Sequence, residues 1–217
     1  MTSPVTPVAL LGGTFNPPHL GHIQPALQAL QSIGLGKLGL MPCKLPPHKS
    51  TNGISEEHRV SMVKLACQAD PRLYPELIEL TLPEPSYSVK TLRALRDRLD
   101  SEQPVCFFMG WDSFISLPSW YEWQQLTQLC HLVILQRKSF HSQPESAVSN
   151  LLAEHGTSEP QSLMKSPAGK IYIAQTDDVP VSSSWLRNRA TECLTQEWQK
   201  WLYPPVLNYI KQHGLYR

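Results

Sequence analysis

The eleven residues GGTFNPPHLGH, from Gly12 to His22, most constrain what this chain can fold into. They follow a short apolar run, Val8–Leu11, and precede apolar residues with the i, i+3, i+4, i+7 spacing of a helix. Glycines let a backbone approach a ligand closely, and prolines stiffen a turn. His19 and His22 are three residues apart and would lie close together at a helix start. The stretch therefore predicts a strand–loop–helix unit that binds phosphate next to two histidines.

Short apolar runs alternate with helical patterns along the rest of the chain. The runs predict strands at Val8–Leu11, Lys37–Met41, Leu77–Leu80, Val105–Met109, Leu132–Leu135 and Lys170–Ala174. The helical patterns predict helices from His19 to about Ile33, Ser55 to Ala69, Val89 to Leu99, Gln124 to Leu129, Ser183 to about Leu194, and Pro205 to His213. Strands separated by helices favour an α/β fold with a parallel, doubly wound sheet. The continuous apolar character of the strands indicates helices on both faces of that sheet.

Length and composition narrow the class of protein further. The 217 residues suit one domain spanning residues 1–217, with a polar surface insert at about 139–167 that is partly helical. A net charge of +1 gives no electrostatic case for a nucleic-acid polymer as partner. Neither a signal peptide nor a membrane span is recognisable. The five cysteines are scattered, odd in number and without a C-x-x-C pair, which favours reduced thiols and a cytoplasmic location.

The predicted loops with chemically active residues all follow strands. In a parallel sheet such loops meet at one edge, where ligands bind. These loops contain Gly12–His22, Pro46–Lys49, Gly110–Asp112, Arg137–Lys138 and Ser182–Ser184.

The last of these loops predicts a second contact for an anion. Residues 182–184 are three serines at a predicted helix start, and Arg187 lies one turn into that helix. Hydroxyl groups, backbone N–H groups and a guanidinium together suit a phosphate. The chain lacks G-x-G-x-x-G, G-x-x-x-x-G-K-[ST] and H-E-x-x-H, so neither a common dinucleotide loop, a P-loop nor that zinc motif is indicated.

Together, the segments GGTFNPPHLGH and VSSSWLR resemble the two signature motifs of the nucleotidyltransferase superfamily, H-x-G-H and I-S-S-T-x-I-R. Further segments, PPHK, PSYSVKTL, GWDS with LPSWYE, and VILQR, are similar to the nicotinate-nucleotide adenylyltransferase family. The C-terminal residues 209–217 also resemble that family, so the likeness covers nearly the whole chain. It implies a Rossmann-like fold.

The resemblance also implies a reaction. AMP would pass from ATP to nicotinate mononucleotide, giving nicotinate adenine dinucleotide and pyrophosphate, with no covalent enzyme intermediate. The protein would position the reactants and stabilise charge. Mg²⁺ would be carried with ATP, and no protein metal site is expected.

The resemblance assigns residues to each part of that reaction. The catalytic residues would be His19, His22 and Arg187. The residues expected to bind ATP are Gly12, Gly13, Thr14, Phe15, His19, His22, Gly110, Asp112, Ser183, Ser184 and Arg187. The residues expected to bind nicotinate mononucleotide are Asn16, Lys49, Ser88, Asp112, Trp120, Tyr121 and Arg137. Among these, Trp120 would stack on the pyridine ring, and backbone N–H groups near Asp112 and Tyr121 would receive the carboxylate.

Other functions are compatible with some of these residues. The acceptor could be nicotinamide mononucleotide, phosphopantetheine or an alcohol phosphate. The chain could instead be an inactive nucleotide-binding regulator, although both histidines and the serine–arginine motif are intact. A metal-dependent phosphohydrolase would need carboxylate ligands near His19 and His22, and none is adjacent in sequence. Pyrophosphate as a product would separate a transferase from a hydrolase.

Overall fold

The computed structural model describes residues 6–44, 53–137, 145–189 and 196–217. Within these ranges the chain forms one seven-stranded sheet in which every adjacent pair of strands is parallel. The strands are β1 Val8–Gly13, β2 Leu38–Pro42, β3 Leu73–Pro75, β4 Val105–Gly110, β5 His131–Arg137, β6 Gly156–Thr157 and β7 Ile171–Thr176.

Nine α-helices lie in the described part of the chain. They are α1 Leu20–Ile33, α2 Glu56–Ala69, α3 Ser88–Arg96, α4 Trp111–Ile115, α5 Leu126–Leu129, α6 Ser146–His155, α7 Ser183–Asn188, α8 Gln196–Trp201 and α9 Pro204–Gln212. Short 3₁₀ helices cover Ile78–Thr81, Leu117–Ser119, Trp123–Gln125 and Pro160–Lys165. No helix of the described residues is long and apolar enough to cross a membrane.

The strand order, β3-β2-β1-β4-β5-β7-β6, places a switch point between β1 and β4. The chain builds outward from β1 through β2 to β3, and then returns to β4 on the other side of β1. The connections after β1 and after β4 therefore leave in opposite directions and open a crevice at the carboxyl ends of the two strands. This is the doubly wound, Rossmann-like sheet that the sequence predicts.

Alternate residues of the strands enter two separate apolar clusters, one on each face of the sheet. In β4, Cys106 and Phe108 belong to the cluster that includes buried residues of α1, α2, α8 and α9. Phe107 and Met109 belong to the other cluster, with residues of α3, α4, α5 and α6. The prediction of helices on both faces is confirmed.

The third strand lies earlier than the sequence predicts. Leu77–Leu80 was expected to be a strand, but β3 is Leu73–Pro75 and the later run forms a 3₁₀ turn, closed by the bond from the Leu80 N–H to the Leu77 carbonyl. The hydrogen bonds along β2 explain the difference. The Leu38 N–H donates to the Arg72 carbonyl and the Glu76 N–H to the Leu40 carbonyl, so residues 72–76 occupy that edge.

The remaining elements agree with the predicted types to within a few residues, with three differences. The sequence patterns did not predict α4, α8 or the two-residue strand β6. The described part of α7 ends at Asn188, and the rest of the helix predicted to about Leu194 lies mostly outside the described residues. The described part of the polar segment 139–167 contains α6, β6 and a 3₁₀ helix, and Val148 and Leu163 are fully buried in it.

Candidate active site

Two adjoining clefts open at the carboxyl ends of the strands. The first, which we name the histidine cleft, has a volume of about 680 Å³. The second, the tryptophan cleft, has a volume of about 430 Å³. Residues shared by both clefts mark the place where they meet: Gly12, Gly13, Thr14, Gly110 and Ser113.

Every residue that the sequence assigned to ATP lines the histidine cleft: Gly12, Gly13, Thr14, Phe15, His19, His22, Gly110, Asp112, Ser183, Ser184 and Arg187. They come from the ends of β1 and β4, the loop after β1, the first turns of α1 and α4, and α7. The structure therefore brings these predicted segments together in one cleft.

The two histidines lie against each other at the start of α1. His19 occupies the N-cap position and is 2% exposed, and its ring stacks on that of His22 with centroids 3.7 Å apart. Phe15 meets the His22 ring edge-on at 5.5 Å. Because the rings pack on both sides, His22 has little rotational freedom where it borders the cleft.

Two glycines make the close packing around this loop possible. A Cβ on Gly12 would lie 2.8 Å from the Phe107 ring. A Cβ on Gly21 would lie 2.8 Å from the carbonyl oxygen of Val181, in the segment that leads into α7. Glycine at position 21 thus lets the start of α1 approach the segment before α7.

Hydrogen bonds join the loop after β1 to α7. Arg187 donates from Nη1 to the Asn16 carbonyl oxygen at 2.7 Å and from Nη2 to the Ser184 Oγ at 3.1 Å. Ser183 Oγ donates to the Pro17 carbonyl oxygen at 3.1 Å. Ser182 has a different task, because its Oγ accepts from the Trp185 N–H and caps α7. All three serines line the histidine cleft, and Ser182 also caps α7.

Trp185, the bulky residue inside this motif, contacts a second arginine. The Arg189 guanidinium lies 4.5 Å from the centre of the Trp185 ring. Trp185 itself packs against the apolar cluster under α1 and α2 and does not line either cleft. Its contacts thus assign it to packing around α7.

The tryptophan cleft is lined by aromatic and hydroxyl side chains. Ser88, Trp120 and Tyr121, all predicted for the mononucleotide, line it. The Tyr87 and Tyr121 rings stack at 4.6 Å, and Lys90 Nζ lies 5.2 Å from the Tyr87 ring centre. Tyr121 is 47% exposed, which makes this aromatic wall accessible.

Of the other four residues predicted for the mononucleotide, the structure places the side chains of two. Asn16 and Asp112 line the histidine cleft and not the tryptophan cleft. Arg137 ends β5, and only its backbone is described. Lys49 lies outside the described residues.

A buried carboxylate under the tryptophan cleft escaped the sequence analysis. Glu79 is 5% exposed and accepts hydrogen bonds from the Lys44 N–H at 3.1 Å and from the Ser86 hydroxyl. Burial raises the pKa of Glu79, and the Ser86 hydrogen bond opposes this effect. Its partners lie seven and 35 residues away in the sequence, so no local motif predicts these hydrogen bonds.

Tyr216, near the end of the chain, also reaches the site. Its hydroxyl donates to Asn16 Oδ1 at 2.6 Å, across 200 residues of sequence. Burial raises the pKa of this phenol well above its usual range, so the hydroxyl stays protonated and donates. The similarity of residues 209–217 to a family pattern was the only sequence signal for this contact.

Comparisons with known proteins agree with this geometry. Residues 10–189 match the family model described as cytidylyltransferase-like. The chain is 40% identical over 211 residues to a protein of Aeromonas salmonicida named "Probable nicotinate-nucleotide adenylyltransferase", covering 97% of each chain. It is 38% identical to a protein of the same name from Aeromonas hydrophila, again over 97% of each chain.

A solved structure supports the fold. The Plasmodium falciparum nicotinic acid mononucleotide adenylyltransferase, complexed with NaAD, superposes with a TM-score of 0.69 at 17% identity and 97% coverage of both chains. From the two Aeromonas relatives and the family model, this chain belongs to the nicotinate-nucleotide adenylyltransferase family, within the cytidylyltransferase-like group.

Proposed function

We propose that this chain transfers AMP from ATP to nicotinate mononucleotide, releasing pyrophosphate and forming nicotinate adenine dinucleotide for NAD biosynthesis. The observation that carries the proposal is the meeting of two differently lined clefts at Gly12, Gly13 and Thr14. A transfer between two nucleotides needs two sites that share one reaction point, and such a point lies beside this loop.

The histidine cleft suits the triphosphate of ATP. His19 and His22 can donate hydrogen bonds, and their protonated forms are favoured next to phosphate. Ser183 lines the same cleft, and its hydroxyl donates to the Pro17 carbonyl oxygen. Ser184 adds a hydroxyl donor, since its oxygen accepts from Arg187 and its proton has no acceptor among the described residues, and Arg187 adds a permanent positive charge. These groups stabilise the charge that develops on the phosphoryl oxygens during transfer.

The tryptophan cleft suits the acceptor. Trp120 offers a flat face for the pyridine ring, and Ser88 offers a hydroxyl for the mononucleotide. We assign the nicotinate carboxylate to backbone N–H groups near Tyr121, because a carboxylate accepts hydrogen bonds only. Asn16, Asp112, Arg137 and Lys49 complete the proposed acceptor set.

The reaction is an in-line displacement at phosphorus. An oxygen of the mononucleotide phosphate forms a bond to the α-phosphorus of ATP. The bond from that phosphorus to the oxygen that bridges to the β-phosphorus breaks, and pyrophosphate leaves with the electron pair. The protein holds the two phosphates in line and forms no covalent bond to either.

Mg²⁺ enters this proposal with ATP. Among the described residues, no group of three or more His, Cys, Asp and Glu side chains could hold a metal ion. Asp112 is the one carboxylate in the described lining of the histidine cleft and could meet the hydrated ion at its edge. When bound, Mg²⁺ neutralises charge on the phosphates.

We place this reaction in the cytoplasm. Cys43, Cys67, Cys106 and Cys130 are all free thiols in the described part of the chain. Burial raises the pKa of Cys67 and Cys106 to about 12, so these two thiols stay protonated and unreactive. Buried reduced cysteines suit a reducing compartment.

Pyrophosphate release from ATP and Mg²⁺ tests the proposal, with nicotinate mononucleotide and nicotinamide mononucleotide compared side by side. Strong preference for the acid is the expected result. Release with the amide alone would assign the enzyme to the other pyridine nucleotide. Release with neither, but with phosphopantetheine or an alcohol phosphate, would keep the reaction type and change the acceptor. Orthophosphate in place of pyrophosphate would indicate a hydrolase and contradict the proposal.

A further inference from the structure

Arg59 is a buried cation directly behind the phosphate-binding loop. It lies in the first turn of α2 and is 0% exposed. Its Nη1 donates to the Thr14 carbonyl oxygen at 3.0 Å and to the Cys43 carbonyl oxygen at 2.8 Å. One guanidinium nitrogen therefore joins the loop after β1 to the loop after β2.

The contact with Thr14 fixes the direction of a peptide group. The Thr14–Phe15 bond is trans, since the cis bonds of the described residues are at Pro17 and Pro85. In a trans peptide the N–H points opposite to the C=O. When Arg59 holds the Thr14 oxygen, the Phe15 N–H therefore points away from Arg59.

Phe15 is 1% exposed and lies at the edge of the histidine cleft. Thr14 and Phe15 both line the histidine cleft. No acceptor in the described part of the chain takes a hydrogen bond from this N–H. Phe15 also has a positive φ of 49°, a conformation that a bulky side chain rarely adopts without support from its surroundings.

The guanidinium itself is only partly satisfied. Its Nε and Nη2 atoms are buried and have no hydrogen-bond partner among the described residues. A buried cation with unpaired N–H groups lowers stability, so packing alone does not account for an arginine here. The guanidinium contacts the carbonyl of Thr14, a residue that lines both clefts. Phosphoryl transfer at the junction of the clefts would concentrate negative charge close to this cation.

We infer that Arg59 is a positioning residue for adenylyl transfer: it holds the Thr14 carbonyl so that the Phe15 N–H faces the ATP phosphates, and it adds a fixed positive charge behind them. This inference rests on the proposed function. Arg59 does not touch substrate, because its side chain is fully buried.

The test compares Arg59→Met and Arg59→Lys with Lys64→Met, which removes an exposed cation from the same helix. Turnover number, KM for each substrate, melting temperature and affinity for a non-hydrolysable ATP analogue are measured for each variant and for the wild type. We expect Arg59→Met to lose about 100-fold in kcat, the size of effect seen when one oriented donor is lost. Its melting temperature should fall, because the Thr14 and Cys43 carbonyl oxygens lose their donor, so kcat is compared per folded molecule.

Arg59→Lys keeps the charge but cannot reach both carbonyls in the same geometry, so its kcat should fall between those of the wild type and Arg59→Met. Lys64→Met should match the wild type in all readouts. A structural role alone predicts a lower melting temperature with normal kcat per folded molecule. A folded Arg59→Met variant with kcat within about threefold of the wild type would overturn the inference, because the expected loss is far larger. If Arg59→Met does not fold, wild-type kcat in Arg59→Lys would overturn it.

Binding of the ATP analogue separates this inference from the proposed function. A wild-type protein that released no pyrophosphate with any acceptor would contradict the function. Even then, Arg59→Met should bind the analogue about tenfold more weakly than Lys64→Met, since one oriented hydrogen bond to a charged phosphate is lost. Equal affinity in that case would overturn the role of Arg59.

Discussion

The histidine cleft and the tryptophan cleft share one wall but are built differently. The histidine cleft is held by hydrogen bonds to backbone carbonyls, from Arg187 to Asn16 and from Ser183 to Pro17. The tryptophan cleft is walled by stacked rings and short helical turns, and its Tyr121 is nearly half exposed.

This difference suits the ligand that we propose for each cleft. A phosphate requires donors fixed in direction, and a backbone tied from behind supplies them without reorganisation. A flat ring requires area, which aromatic side chains supply with looser geometry. Changes in the histidine cleft should therefore act mainly on turnover, and changes in the tryptophan cleft mainly on the KM of one substrate.

The largest expected effect is on the histidine side. His22→Ala should lower kcat about 1,000-fold, because it removes a donor that contacts the developing phosphoryl charge. The fold should persist, since the His22 side chain is partly exposed at the cleft. Steady-state kinetics and circular dichroism measure the two results. His213→Ala, an exposed histidine outside both clefts, is the control. Near-normal kcat in His22→Ala would remove its assigned role.

A smaller effect is expected on the tryptophan side. Trp120→Ala should raise the KM for nicotinate mononucleotide about tenfold, the cost of one lost stacking contact, and leave the KM for ATP within about twofold. Trp123→Ala is the matched control, because Trp123 packs in the same region but does not line the cleft. Equal increases in both KM values would show that the two clefts are not separate sites.

The bond from Tyr216 to Asn16 should have a still smaller influence on turnover. Tyr216→Phe removes the hydrogen bond to Asn16 in the loop after β1 and should lower kcat about fivefold. Tyr203→Phe removes a hydroxyl that bonds to Asp70, which lines neither cleft, and should leave kcat unchanged. If both variants had the same kcat, the C-terminal contact would serve stability alone.

The smallest effect concerns the pH dependence of stability. Burial raises the pKa of Glu79, so the folded protein binds this proton more tightly than the unfolded chain does. The stability contributed by proton binding is present in acid and is lost as the pH rises through the raised value. Glu79→Gln should abolish that loss, while its amide oxygen still accepts from Lys44 and Ser86. Urea unfolding over a series of pH values from acid to neutral measures it. The free energy of unfolding of Glu79→Gln, relative to that of the wild type, should rise from acid to neutral pH. No such rise would contradict this account.

Much of the fold was predictable because its signals are local. The apolar run before Gly12, the helical spacing after His22 and the run Val105–Met109 each identify an element within a short window. The error at Leu77–Leu80 has the opposite origin. That run is apolar enough for a strand, but residues 72–76 form the hydrogen bonds along that edge of β2.

The residues of the candidate site also divide into those that local motifs predict and those that depend on distant partners. The residues assigned to ATP belong to contiguous motifs, and all of them line one cleft. Arg59, Glu79 and Tyr216 were missed because their partners are distant in sequence, 45 residues for Arg59 and Thr14 and 200 for Tyr216 and Asn16. Asn16 was assigned to the mononucleotide, yet it lies in the histidine cleft.

The sequence by itself determined the alternation of strands and helices, the two signature motifs and the family, because each depends on residue types at short, fixed spacing. Only the tertiary structure decided that the two segments meet, that Arg59 and Arg187 hold the carbonyls of the same loop, and that the aromatic wall lies beside it. The physical reason is that strand order and the approach of buried side chains depend on how both faces of the sheet are filled at once, which no short stretch of sequence specifies.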